Sequence, residues 1–218
     1  MSVSGERKTT AGILPGSLKA FLKHARGRLP RPRGGATAPA ARPAVQSAGS
    51  AGPSVRLASE HDVPGLIRLI NRLALEAALL FVMPMDPETG AEELSQFLWA
   101  TGGSGNNAML VAEAAGALVG LATATGGAHP AKRGAVEIGI GVLNEHQGRG
   151  IGTALMAALE AWARGAGIHR LQLPVVATNA PAITLYRKCG FITEGVLRES
   201  VMLDGRLVDQ LMMAKLLG

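Results

Sequence analysis

The chain has one cysteine, Cys189, and one tyrosine, Tyr186, and aromatic residues make up only 3% of its 218 positions. A single cysteine excludes a disulfide within the chain and suits a reducing, cytoplasmic setting. The scarcity of aromatics leaves aliphatic side chains and alanine to fill the core that a 47% hydrophobic composition supplies. There is no uncharged apolar run of 18 or more residues, so a transmembrane helix is not expected. Ile13-Leu14 is too short an apolar stretch for a secretory leader. His61, His129, His146 and His169 show no metal-ligand spacing, so no metal is expected.

A net charge of +6 suggests nucleic acid as a partner until its location is considered. Residues 1–53 carry nine basic side chains against Glu6 alone, a net +8, and the remaining 13 basic and 15 acidic residues give −2. The basicity belongs to the N-terminal segment, and the rest of the chain requires neither nucleic acid nor membrane. That segment is rich in Ala, Pro, Gly and Arg, with Pro30, Pro32, Pro39, Pro43 and Pro53 in its second half. It buries too little apolar surface to offset chain entropy and is expected to be a disordered basic tail. Leu18, Phe21, Leu22 and Ala25 leave room for a short amphipathic helix within it.

Residues 54–218 read as one domain. Val55 and Leu57 suggest a strand. Val63, Leu66, Ile67, Ile70 and Ala74 recur at helical spacing, with Asp62 as the cap and Pro64 in the first turn. A second helix is expected around Ala91–Ala100, then a turn over Gly102 to Asn107. Met109–Ala114, Ala117–Thr125 and Val136–Leu143 read as strands. Gly150–Gly165 reads as a helix, Leu171–Thr178 as a strand and Ala180–Cys189 as a helix closed by Gly190. A strand pair turning at Asp204-Gly205 ends the chain.

Gly148, Gly150 and Gly152 fall between a strand and a helix. Glycine lets backbone approach a ligand closely, and a helix start offers unpaired N–H groups at the positive end of the dipole, which suits phosphate. The spacing is not that of a P-loop, because no Lys-Ser or Lys-Thr follows. Nor is it the G-x-G-x-x-G of a dinucleotide site.

The segment Gln147-Gly148-Arg149-Gly150-Ile151-Gly152 resembles the pyrophosphate loop Q/R-x-x-G-x-G/A of the GNAT acetyltransferase superfamily. Asn179 to Phe191 resembles the family's second signature, N-x-x-A-x-x-L-Y-x-x-x-G-F, in order and at the usual separation. The resemblance implies an α/β fold with a mixed, mostly antiparallel sheet of about six or seven strands and about four flanking helices. The sheet is splayed at two parallel strands, here Val136–Leu143 and Leu171–Thr178. Pro174 in the second strand cannot donate a ladder hydrogen bond and fits a place where pairing is lost.

The resemblance further implies acetyl-CoA as co-substrate, held by Ile140, Val142, Leu143, Asn144, Gln147, Gly148, Arg149, Gly150, Ile151, Gly152, Thr153, Asn179 and Tyr186. Backbone N–H groups near Ile140–Leu143 would polarise the thioester carbonyl. Tyr186 falls at the general-acid position, where it would protonate the leaving thiolate. Glu137 matches the placement of the general base in several members; Glu145 and His146 lie closer to the loop and read as solvent-facing. Cys189 reads as core. The acceptor side is expected from Leu75 to Thr89, with Leu79, Leu80, Phe81, Val82, Met83, Met85 and the acids Glu76, Asp86 and Glu88, and from the terminal hairpin. A primary amine of a small molecule or amino acid is the favoured acceptor. A protein N-terminus or lysine, and a non-catalytic acyl-CoA-binding module, are the alternatives. A homodimer is compatible with this reading.

Overall fold

A computed structural model describes residues 53–76, 84–127 and 129–218. The expected tail, and Leu79 to Met83 on the acceptor side, lie outside the described residues.

The described elements follow the order read from the sequence. β1 (Ser54–Leu57) leads into α1 (Val63–Glu76) and α2 (Pro87–Ser104). β2 (Asn107–Ala114), β3 (Ala117–Gly126) and β4 (Ala135–Val142) come next. α3 (Ile151–Gly165), β5 (Arg170–Val176) and α4 (Ala180–Lys188) precede the hairpin of β6 (Ile192–Leu203) and β7 (Arg206–Leu216). The seven strands form one sheet in the order β1-β2-β3-β4-β5-β7-β6, antiparallel except for β4 beside β5.

Two expectations need correction. Asp62 does not cap α1. It closes a short 3-10 turn, Glu60–Asp62, where its carboxylate accepts from the Ser59 backbone N–H at 2.7 Å and from both outer nitrogens of Arg56 at 2.7 Å. A bidentate guanidinium offers more than a helix N–H, so the side chain turns back towards β1. The turn expected over Gly102 to Asn107 is shorter. α2 runs on to Ser104 and only Gly105 and Asn106 separate it from β2. Its start is also earlier, because Asp86 accepts from the Glu88 and Thr89 N–H groups and Pro87 occupies the first turn.

Alternation along the strands gives the sheet two apolar faces. On one, Val136, Ile138, Ile140 and Val142 of β4 pack with Leu171 and Leu173 of β5 against Ile151, Leu155 and Leu159 of α3 and Ile183 and Tyr186 of α4. On the other, Met109, Val111 and Leu121 pack against Leu66, Leu69, Ile70 and Leu73 of α1 and Leu94 and Phe97 of α2. Each such side chain, fully buried, contributes about 1.5–3 kcal/mol of transfer free energy. Beyond α1, Asn71 fixes the returning chain: its amide donates to the Met85 carbonyl at 3.1 Å and accepts the Met85 N–H at 2.7 Å.

β4 and β5 pair only through Ala135/Arg170, Val136/Leu171 and Glu137/Gln172. Past Glu137 the two strands part. β5 keeps its other partner, β7, along its whole length, including Pro174 opposite Met212. Parallel pairing thus ends before Pro174, as its missing N–H leads one to expect.

Candidate active site

The glycine loop sits where β4 leaves the sheet. The Gln147 amide donates to the Val142 carbonyl at 2.9 Å and to the Asn144 side-chain oxygen at 3.1 Å, fastening the loop to the end of β4. Gly148 and Gly150 take φ of +73° and +81°, and a side chain added at either would meet no atom within 4 Å. Their bare backbone faces open space. Gly150 precedes α3 and has no side chain to cap it, so the first N–H groups of the helix, at Ile151, Gly152 and Thr153, receive no cap from the residue before them. The helix dipole adds positive potential at the same point.

A cavity of about 390 Å³ opens from this loop. Ile140, Val142, Gln147, Gly148, Gly150, Ile151, Gly152 and Thr153 line it, all of them residues assigned to the donor from the sequence. Leu143, Asn144, Arg149, Asn179 and Tyr186 do not. Leu143 packs into the α1/α2 core. The Asn144 N–H donates to Glu76 at 2.9 Å. Asn179 is buried and accepts the Ala182 N–H at 3.2 Å, capping α4.

The opposite wall of the cavity was not read from the sequence. Pro181, Ala182, Thr184, Leu185 and Lys188 of α4 supply it, with His146 at the loop. Their spacing along α4 is the available signal, since residues three and four apart share a helix face. Lys188 brings a cation, and Ala182, Leu185, Ile140 and Val142 bring apolar walls. Open glycines, forward N–H groups, a lysine and an apolar channel fit a diphosphate joined to a long thioester arm.

The two side chains expected from the sequence to move protons lie on opposite faces of the sheet. Tyr186 is 1% exposed, on the α3/α4 face, with its ring 5.8 Å from that of Phe191 and tilted by 52°. Burial, with a smaller contribution from Cys189, holds its pKa well above the usual tyrosine value, so it stays protonated at neutral pH. Glu137 alternates with Val136 and Ile138 and so points to the α1/α2 face. It is half-buried, and burial raises its carboxyl above the usual range.

The other acids are otherwise engaged. Glu145 is exposed and paired with Arg72 at 2.9 Å, which lowers its pKa. Arg72 also holds Glu76 at 2.9 Å, and Asp86 caps α2. Cys189 is half-buried against the α3/α4 core, as expected. Among the described residues no group of three or more metal-ligating side chains converges, and no helix is long and apolar enough to cross a membrane.

A parallel pair that parts beside open glycines and an uncapped helix start on one face, with a carboxylate on the other, fits an acyltransferase that takes a nucleotide-linked thioester. The profile of the Acetyltransferase (GNAT) family matches residues 75–191. A curated relative, the L-methionine sulfoximine/L-methionine sulfone acetyltransferase of Pseudomonas paraeruginosa, is 28% identical over 160 residues, covering 72% of this chain and 90% of its own. The solved structure of a GNAT-family acetyltransferase from Streptococcus pneumoniae superposes with a TM-score of 0.70 at 28% identity, covering 75% of this chain and 98% of the other. A phosphinothricin acetyltransferase from Sinorhizobium meliloti, solved with AcCoA, superposes with a TM-score of 0.67 at 25% identity, covering 76% and 89%. The chain belongs to the GNAT acetyltransferase family. It is an N-acetyltransferase, and acetyl-CoA is its co-substrate.

Proposed function

We propose that this enzyme acetylates the primary amine of a free amino acid or a similar small amine by direct attack, with Glu137 as general base and Tyr186 as general acid. The observation that carries the reading is that Glu137 stands on the α1/α2 side of the sheet at the point where β4 and β5 part, while Tyr186 lies in the core on the other side. A donor whose phosphates rest at α3 reaches that gap from one face, and an amine reaches it from the other.

The acceptor amine, with a pKa of about 10, arrives protonated at pH 7. Glu137, raised by burial and with no paired cation among the described residues, takes that proton directly or through one water. Backbone N–H groups of β4 at Ile140 and Val142 support charge on the carbonyl oxygen, whereas the Leu143 N–H, expected among them, is donated to the Val119 carbonyl at 3.0 Å. Tyr186 then donates its proton to the departing sulfur. A thiolate is poorly solvated in a dry cleft, which favours this transfer although tyrosine's ordinary pKa is about 10 and a thiol's about 8.5. Gln147 holds the loop, Lys188 and Arg149 screen the phosphates, and Asn179 fixes the start of α4.

Small amino-acid-like acceptors are favoured by the L-methionine sulfone and phosphinothricin named for the relatives. Two further parts of the reading concern setting and assembly. The lone cysteine suits a cytoplasmic site of action. The outer strand β6 exposes Ile192, Val196 and Met202, which supports a homodimer formed through that edge. Residues 1–53 are an appendage to a catalytic domain spanning 54–218.

The test is thiol release from acetyl-CoA against a panel of L-amino acids, L-methionine sulfone, phosphinothricin, polyamines and peptides with free N-termini. Turnover confined to the amino-acid-like members supports the reading. Turnover of peptides alone would replace it with a protein acceptor.

A further inference from the structure

Beside Glu137 the α1/α2 face carries two threonines that the mechanism above does not use. Thr123 is 0% exposed and Thr125 is half-buried. The Oγ1 atoms of both are buried and have no hydrogen-bond partner among the described residues. An unsatisfied buried hydroxyl costs about 1–3 kcal/mol, and valine would fill the same volume without that cost. Two such groups on one face of one strand call for a ligand that donates to them.

The sheet register places them. Thr125 lies opposite Glu137 and Thr123 lies opposite Gly139. Cross-strand partners stand about 4.5–5.5 Å apart at Cβ. Residues two apart on a strand stand about 6.7 Å apart on the same face. Thr125, Glu137, Gly139 and Thr123 therefore mark the corners of a small rectangle. Three corners are polar and the fourth, Gly139, has no side chain. The rectangle borders the place where β4 stops pairing with β5, immediately after Glu137 and Gln172.

We propose that this rectangle is the seat of the acceptor's amine head, with Thr123 and Thr125 as positioning residues that accept its N–H groups while Glu137 takes its proton. The proposal rests on the amine-acetylation reading above and assigns residues that reading leaves open. A primary ammonium has three N–H donors. One proton leaves to Glu137, directly or through one water. The two remaining N–H groups donate to the two threonine oxygens. The freed lone pair then faces the gap, over the bare corner at Gly139. The N–C bond forms, the C–S bond breaks with its electron pair on sulfur, and sulfur takes the proton of Tyr186. The new amide nitrogen, which still carries two hydrogens, then gives one up through water to the Tyr186 oxygen, leaving a neutral amide and a restored tyrosine. Side-chain rotation of the extent common on ligand binding turns the hydroxyls towards the amine. The arrangement also sets selectivity. A secondary amine has one N–H left after deprotonation and leaves one hydroxyl unsatisfied, whereas a primary amine satisfies both.

The test uses the full chain with Thr123→Val, Thr125→Val, the double variant and both Thr→Ser variants. Acceptors are L-methionine sulfone and its N-methyl derivative, with acetyl-CoA as donor. If the hydroxyls hold the amine, each valine variant keeps or raises the melting temperature and leaves the acetyl-CoA KM unchanged. Its kcat/KM for the primary amine falls at least 10-fold, its preference over the N-methyl compound shrinks, and serine restores both. If the threonines are only sheet residues, the valine variants stay within twofold of wild type in kcat/KM, which overturns the proposal. A rise in acetyl-CoA KM in step with the loss would also overturn it, by showing general deformation of the site. If wild type acetylates no amine of the panel, the function reading itself fails. Normal wild-type turnover with unaffected valine variants removes only the threonine assignment.

Discussion

Replacing Gly150 by alanine separates backbone strain from donor binding. Gly150 holds φ at +81°, and a Cβ there meets nothing within 4 Å, so the substitution brings no clash within the protein. Its cost to folding is the left-handed backbone alone, about 1–2 kcal/mol for a residue with a Cβ. For a domain of this size that lowers the melting temperature by about 3–6 °C. Gly105, after α2, provides a matched control: its φ is +72° and its Cβ would also meet nothing within 4 Å. Gly105→Ala should therefore show the same melting shift. The two differ in what the new methyl faces. At 150 it projects where a phosphate must come within hydrogen-bond reach of the α3 N–H groups. Losing one such charge-assisted bond costs about 1.5–3 kcal/mol, a 10- to 150-fold rise in acetyl-CoA KM. Paired thermal melts and acetyl-CoA titrations give both quantities. If Gly150→Ala melts like Gly105→Ala and its acetyl-CoA KM stays within twofold of wild type, the loop does not hold the donor.

Tyr186→Phe should lower kcat about 100-fold with little change in acetyl-CoA KM, as measured by steady-state thiol release; an unchanged kcat would remove the acid role. Glu137 must be ionised to act, so activity should rise with pH through a pKa above the ordinary carboxylate range and vanish below it. Glu137→Gln should abolish that acidic limb and lower kcat/KM for the amine about 100-fold; a pH profile retaining the limb points to another base. Tyr186, raised and protonated, should contribute no alkaline limb near neutrality. Asp62 is pulled down to about 2 by hydrogen bonds from Arg56, outweighing the opposing effect of burial, with further help from Ser59. The stability this gives is fully present above the unfolded value near 3.9 and is lost as pH falls through the folded one. Asp62→Asn should therefore cost about 1–2 kcal/mol in urea unfolding at pH 7, discounted for the partly exposed Arg56, and that cost should shrink at pH 3. Equal losses at both pH values would assign the effect to packing instead.

The sequence by itself determined whatever consecutive residues encode. Gln147 to Gly152 forms a loop and helix start from six neighbours, and Asn179 with Pro181 begins α4 from within its own first turn. Helix periodicity in Val63 to Glu76 likewise fixed which side of α1 is buried. Local geometry of this kind depends on φ preferences, caps and spacing, all readable in order along the chain. Asp62 escaped that reading because Arg56, on the preceding strand, competes for its carboxylate once the chain turns back.

Only the tertiary structure decided the rest. The α4 wall of the donor cavity, with Thr184 and Lys188, exists because α4 packs beside the loop from more than thirty residues away in sequence. That Glu137 and Tyr186 occupy opposite faces follows from strand alternation together with the packing of α3 and α4 on one side. The threonines at 123 and 125 read as ordinary strand residues until the β3/β4 register sets them beside Glu137 and Gly139. Register is a property of two strands, fixed by which faces must be buried, and no single segment of sequence states it.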